Sequence, residues 1–275
     1  MGGEMDVTIV IPVFNQLHFT RQCLESLNAT GCDDSMIVVV NNSSTDGTAE
    51  FLATRPKLRV IHNSENRACA AAWNQGFDAG KTKWTLFLNN DTVLSRGWLE
   101  NLVAFSENEG VDIVSPAMGE GDLDYDFENY ARDFVSQMKP VQRRGTASGV
   151  CFLVARRVFE AIGNFDENFN KGGNEDLDFL WRAKNAGFKM AVSGCAYIHH
   201  FGSVTQKALK AERGSTRAET VGYFRRKWKI GWARRRWMRI RRKAAGNWRK
   251  VSERLRHGHT LVELRVAGKI HYHYH

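Results

Sequence analysis

The chain lacks the marks of several protein classes. It has no C-x-x-C pair, and its five cysteines (Cys23, Cys32, Cys69, Cys151 and Cys195) are odd in number and sit mostly in apolar stretches. That argues against a disulfide framework and for free thiols in a reducing compartment. No apolar run approaches the ~20 residues that a membrane-spanning helix needs. The start, Met1 to Asp6, is acidic and leads directly into an apolar run, unlike a signal peptide. The expected location is therefore cytoplasmic, at most peripheral on the inner face of a membrane. No G-x-G-x-x-G follows the first apolar run, so a dinucleotide fingerprint is absent. Gly80-Lys81-Thr82 imitates the end of a phosphate-binding loop, but only three residues separate Gly76 from Gly80, and the stretch closes a helix instead of opening one. Acidic residues are scarce in one region only. Residues 225–275 hold 17 Lys/Arg against 2 Asp/Glu, whereas residues 1–224 hold 22 against 28, a net −6. The overall charge of +9 belongs to the tail.

What is present is a rhythm of strands and helices. Apolar runs predict strands at 6–14, 36–40, 58–61, 84–88, 111–116, 149–155 and 189–198. Helical spacing predicts helices at 20–27, 48–54, 69–79, 98–105, 157–162 and 174–186. Such alternation implies right-handed crossovers and a mostly parallel sheet covered on both faces, an α/β fold. Residues 117–147 interrupt the rhythm. They are acidic and glycine-rich around Tyr125, Phe127 and Tyr130, then basic over 139–144. A flap or acceptor-binding loop is expected there in preference to a plain surface insertion.

Strand ends carry the chemistry. Trp84 to Leu88 is apolar on both faces and breaks into Asn89-Asn90-Asp91-Thr92. Open α/β sheets bind ligands at the carboxyl ends of their strands, which places Asp91 at a crevice. A carboxylate beside amides suits a hard divalent cation that also grips phosphate, although a simple turn accounts for the same residues. Phe14-Asn15 and Asn41 to Ser44 end two neighbouring strands in the same way. Glu175 and Asp176 open a helix, where the helix dipole alone would favour them.

Seven islands occur in one order: Ile9 to Asn15, Val40 to Thr48, Asn66 to Gly76, Phe87 to Thr92, Gly163 to Glu167, Asn174 to Asp178 and His200 to Ser203. Over about residues 6–230 the chain resembles family-two inverting glycosyltransferases of GT-A fold, in their rhamnosyltransferase-like branch. The resemblance implies a nucleotide-sugar-binding half (1–116) and an acceptor-binding half (117–220) in one catalytic domain (1–220). It implies that Pro12, Phe14, Asn15, Asn41, Ser43, Asn66 and Asn74 border the nucleotide. It also implies that Asn89-Asn90-Asp91 replaces a D-x-D motif and that Arg182 lies near the phosphates. Asp176 would be the general base, Glu175 its neighbour at the sugar, and Asp91 with His200 the holders of Mg²⁺ or Mn²⁺. Asn41 stands where many relatives have Asp, Ala68 where Gly is common, and His199 competes with His200. The implied reaction is transfer from a UDP- or dTDP-sugar to a hydroxyl of a glycan or lipid-linked glycan in cell-surface polysaccharide biosynthesis. One base with no second flanking carboxylate implies a single displacement with inversion, unlike the acid–base pair of hydrolases. The rival is a scaffold that binds nucleotide-sugar without turnover.

The remaining stretch, 221–275, reads as a basic, Trp-rich helical tail. Residues 224–256 contain Phe224, Trp228, Trp232, Trp237 and Trp248 among fifteen Lys/Arg and one acid, Glu253. Trp237, Ile240, Ala244, Trp248, Val251 and Leu255 follow helical steps. An anionic membrane surface is the first expectation, docking of this stripe on the acidic body the second, and nucleic acid a distant third. The terminal run His271 to His275 has no assigned role.

Overall fold

The computed structural model describes residues 5–170, 172–202 and 217–271, with the side chains of 217 and 241–247 left out. The expectations for Ser203, for the Ala244 side chain and for residues 272–275 lie outside the described residues. The chain runs β1 (Val7–Val13), α1 (Leu17–Ala29), β2 (Ile37–Asn41), α2 (Thr48–Ala53), β3 (Arg59–His62), α3 (Ala68–Ala79) and β4 (Trp84–Leu88). Then come β5 (Thr92–Leu94), α4 (Trp98–Glu109), β6 (Ile113–Gly121), α5 (Phe127–Met138), β7 (Gln142–Arg144), β8 (Cys151–Ala155) and α6 (Arg156–Ile162). The last elements are α7 (Glu175–Asn185), β9 (Met190–His200), α8 (Arg217–Lys227), α9 (Trp232–His257), β10 (Val262–Val266) and β11 (Lys269–His271).

One sheet organises them, in the order β11-β10-β6-β8-β4-β1-β2-β3, with β9 branching off to pair with β5, β6 and β7. The β3-β2-β1-β4 half is parallel, and β8 runs antiparallel between β4 and β6. Every residue of β2, β4 and β8 is buried, because helices cover both faces of the sheet. Helix α3 lies close on β1 at Gly76, where a Cβ would collide with the Val10 side chain. β1 has β2 on one side and β4 on the other, so the order reverses between β1 and β4. The crevice outside their carboxyl ends is the topological switch point where ligands bind in open sheets.

Two expectations need correction. Residues 117–147 are not a flap. β6 continues to Gly121, α5 packs on β9, and β7 pairs with β9. Ala131, Phe134 and Met138 on α5 join Ala117, Val192, Tyr197 and Leu261 in a second small core. The apolar side chains recur at helical spacing inside an acidic stretch, and burial of that single stripe is enough to hold the helix.

The tail is likewise not one unit. Phe224 is buried, and its ring, like that of Trp228, meets Trp181 of α7 edge-on. Trp228 donates its indole N–H to Asp178 Oδ1 at 2.9 Å, and Lys227 reaches both Asp178 Oδ2 (2.9 Å) and Asp166 Oδ2 (2.6 Å). At the far end β10 runs parallel to β6 and enters the central sheet. Of the proposed membrane segment 224–256, residues 224–228 dock on the body, whereas the α9 stripe stays exposed, as does Trp232 at the start of that helix. Among the described residues no helix is long and apolar enough to cross a membrane.

Candidate active site

The ends of β1 and β2 form a hydrogen-bonded loop pair. Asn15 N–H donates to Ser44 Oγ (2.8 Å), and Asn15 Oδ1 accepts from Thr45 N–H (2.7 Å). The buried Asn41 accepts from Ser44 N–H at 3.0 Å and meets His62 Nδ1 at 3.3 Å through its amide nitrogen. Asn15 and Ser43 both take left-handed backbone conformations, φ 53° and 64°, which shape this rim beside Pro12 and Phe14. Asn66 accepts from Ala68 N–H at 2.9 Å and steadies Ala68 at φ 63°. Ala68 therefore holds a conformation that glycine adopts with less strain.

At the end of β4, Asn90 donates to the buried Thr20 hydroxyl (2.9 Å), which fixes the turn. Asp91 is buried, and its Oδ1 lies 3.4 Å from His200 Nε2. Strand β9 reaches this point because β5 pairs with it (Thr92 opposite His200) and because Phe201 N–H donates to the Asp91 carbonyl at 3.0 Å. The neighbouring His199 points to the other face of the strand. Its Nδ1 meets the Tyr125 hydroxyl (3.0 Å) and its Nε2 the Gly121 carbonyl (3.1 Å), while burial pushes its pKa down to about 4. His200 is thus the histidine beside Asp91. A carboxylate and an imidazole this close are a suitable donor pair for one divalent cation. Among the described residues no group of three or more His, Cys, Asp or Glu side chains is placed to hold a metal ion, so these would supply two donors and leave the rest to phosphate and water.

The second carboxyl pair approaches from α7. Asn174, at φ 73°, turns the chain into the helix without a side-chain cap. Asp176 then presses against Gly149, where an added Cβ would fall on its Oδ2 and lie 2.8 Å from its Cβ. From the adjacent Val150, the carbonyl accepts the Asn89 N–H at 2.9 Å, extending the β4–β8 ladder past Leu88 and Cys151. One short backbone link therefore joins the segment touching Asp176 to the turn that carries Asp91. Glu175 is buried, and its Oε2 has no hydrogen-bond partner among the described residues. Burial, together with the Asp176 charge, raises the Glu175 pKa to about 8. Burial raises that of Asp176 as well, opposed by its own and the Leu177 backbone N–H. Asp176 nevertheless keeps part of its surface open.

Two of the expected contacts take other duties. Arg182 donates to Asp178 Oδ2 (2.9 Å) and to the carbonyls of Ile162 and Asn164 (both 2.8 Å), clamping the loop before α7. Asn74 gives both amide hydrogens to the same loop, at Phe165 O (3.0 Å) and Glu167 Oε1 (2.9 Å), and accepts from Phe165 N–H. Both shape the site from behind. Gly149 escaped the reading of the sequence, since a glycine before a strand carries no signal of what approaches it.

The sequence matches a known family. The model of Glycosyl transferase family 2 covers residues 8–169. The chain belongs to that family. As a family-two glycosyltransferase it is 27% identical over 226 residues to glycosyltransferase AglE of Haloferax volcanii, covering 76% of this chain and 72% of that protein. It is 30% identical over 209 residues to the pre-mycofactocin glycosyltransferase of Mycobacterium tuberculosis, covering 72% of this chain but only 43% of that longer protein. Among solved structures, GalNAc-T7 with UDP, GalNAc and Mn²⁺ superposes with a TM-score of 0.57 at 16% identity, covering 70% of this chain and 43% of its own. The mannosyltransferase PcManGT of Pyrobaculum calidifontis with GDP-Man and Mn²⁺ gives 0.55 at 20% identity, covering 76% and 60%. At these identities the structures establish the fold of this glycosyltransferase, which is GT-A.

Two expectations follow for the carboxyl pair of this family-two enzyme. Gly149→Ala should lower turnover by roughly 10- to 100-fold by displacing Asp176, with little change in the denaturation midpoint. Steady-state kinetics beside urea melts check this. For Glu175, the folded pKa lies above the ordinary glutamate value. Its contribution to stability is therefore full below about pH 4.5 and is lost as pH rises toward about 8. Relative to wild type, Glu175→Gln should gain stability across that window, on the order of 1–3 kcal/mol by pH 8.5. Denaturant midpoints at pH 5 and 8.5 measure the difference, and a pH-independent gap would contradict it.

Proposed function

We propose that the protein transfers a sugar from a UDP- or dTDP-sugar to a hydroxyl of a glycan or lipid-linked glycan acceptor, with inversion at the anomeric carbon. The observation that carries this reading is the backbone link between Asn89 and Val150, beside Gly149. It supports the reading because the Asp91 turn hydrogen-bonds the residue next to the glycine that Asp176 touches.

In this reading the loops after β1 and β2, with Pro12, Phe14, Asn15, Asn41 and Ser43, border the nucleotide. Asp91 and His200 would hold Mg²⁺ or Mn²⁺. When bound, that cation supplies positive charge against the departing diphosphate. Asp176 acts from the other side. Its Oδ accepts the proton of the acceptor hydroxyl as the oxygen attacks the anomeric carbon and the carbon–oxygen bond to the diphosphate breaks. A raised pKa makes Asp176 a stronger base than an ordinary aspartate. Glu175, protonated beside it, adds no second negative charge.

The test is turnover against a panel of nucleotide-sugars with Mg²⁺ or Mn²⁺, with the anomeric configuration of the product read by NMR. Inversion is expected, and retention would contradict the single displacement. Asp91→Asn and His200→Ala should raise the metal concentration needed for half activity by about tenfold or more. No turnover with any donor would favour the scaffold reading.

A further inference from the structure

Helix α9 has a largely exposed apolar face among the described residues. Ile240, Trp248, Val251 and Leu255 fall on one side of it, and they are 58%, 74%, 56% and 82% exposed. Trp237, also more than half exposed, lies on the same stripe. The opposite side holds the attachment to the body. Glu253 is buried, and Arg143 of β7 grips it with two N–H···O bonds, Nε to Oε1 at 2.6 Å. Arg236 and Arg254 flank the stripe on one side and Arg234 on the other. Over its length the helix carries eleven Lys/Arg and one acid, and that acid is the paired Glu253.

We propose that α9 lies in the surface of an anionic lipid bilayer, with the Ile240–Leu255 stripe at the acyl boundary and the flanking arginines among the headgroups. Two requirements select this occupant. The aliphatic stripe needs an apolar medium, which a nucleic-acid backbone does not provide. The basic flanks need negative charge, which a second copy of the same helix does not provide. A lipid surface of negative charge meets both.

The helix is also fixed to the catalytic body at both ends. Before it, Trp228 and Lys227 hold Asp178 of α7. Near its end Glu253 holds β7, and β10 then joins β6. Asp178 and Arg143 both lie in the half assigned to the acceptor, so membrane contact through α9 would orient that half toward the lipid. This consequence alone rests on the proposed acceptor chemistry.

The experiment is flotation of the full chain with phosphatidylcholine vesicles and with vesicles that also contain phosphatidylglycerol. Wild type should float with the anionic vesicles only, and Trp248 fluorescence should be quenched by brominated acyl chains. Ile240→Asp/Leu255→Asp should lose at least about tenfold in vesicle affinity. Its nucleotide-sugar turnover in solution should not change, which separates this inference from the catalytic one. Flotation of the double variant equal to wild type would overturn the proposal, since charge alone would then suffice. So would a wild-type dimer in sedimentation that the same substitutions dissolve, or retention on oligonucleotides in place of vesicles.

Discussion

Replacing Asp176 by Asn is expected to lower kcat by about 10²- to 10⁴-fold while leaving nucleotide-sugar binding close to wild type, because only the proton acceptor is removed. The carboxyl sits against Gly149, and Asn matches its shape without its basicity. Burial raises the pKa of Asp176, so the acid limb of the kcat/KM profile should lie above the ordinary aspartate range. In the proposed mechanism activity needs the ionised form, and it should therefore fall as pH drops through that raised value. In Asp176→Asn the limb should vanish. Isothermal titration with donor, together with pH–rate profiles, decides the matter. An unchanged kcat would remove Asp176 from the mechanism, and a lost donor affinity would make it a binding residue instead.

The second large effect is on stability. Asp178 is fully buried and accepts from Arg182, Lys227 and Trp228, so one carboxylate ties α7 to the loop before it and to the end of α8. Asp178→Ala should destabilise the fold by about 3 kcal/mol or more. The charged donors left behind lose their acceptor, and Arg182 is only one-fifth exposed. Chemical denaturation measures the loss. The same variant should expose the edge of Trp181 that Phe224 and Trp228 cover, giving a red-shifted tryptophan emission. A shift below 1 kcal/mol would mean that the aromatic contacts alone hold α8 in place.

Much of this was legible along the chain because strand ends announce themselves. Val38 to Val40 and Leu86 to Leu88 are apolar at every position, and each run stops at small polar residues. A buried strand of a covered sheet meeting its crevice looks like that. The order of such islands sufficed to indicate the family. The amphipathic α5 was not legible, because its acidic, tyrosine-rich entrance hides a stripe of only three buried side chains. That Asn74 and Arg182 hold the loop before α7 was not legible for a related reason. An amide or guanidinium near a site serves a ligand or a loop equally well, and only coordinates show which one it holds.

Alone, the sequence determined the alternation of strands and helices, the position of Asp91 after a buried strand, the acidic start of α7 and the basic stripe of α9. These depend on neighbours a few residues apart. Tertiary structure decided which of His199 and His200 stands beside Asp91, since adjacent residues of a strand face opposite ways and pattern alone does not say which face is which. It also decided that Glu263 and Arg265, not Val262 and Leu264, turn inward on β10. Glu263 accepts from the Tyr130 hydroxyl at 2.6 Å, and the Arg265 guanidinium lies 3.5 Å from the ring centre of Tyr125. Their partners lie more than a hundred residues away, so a rule that buries apolar side chains first would have turned this strand over.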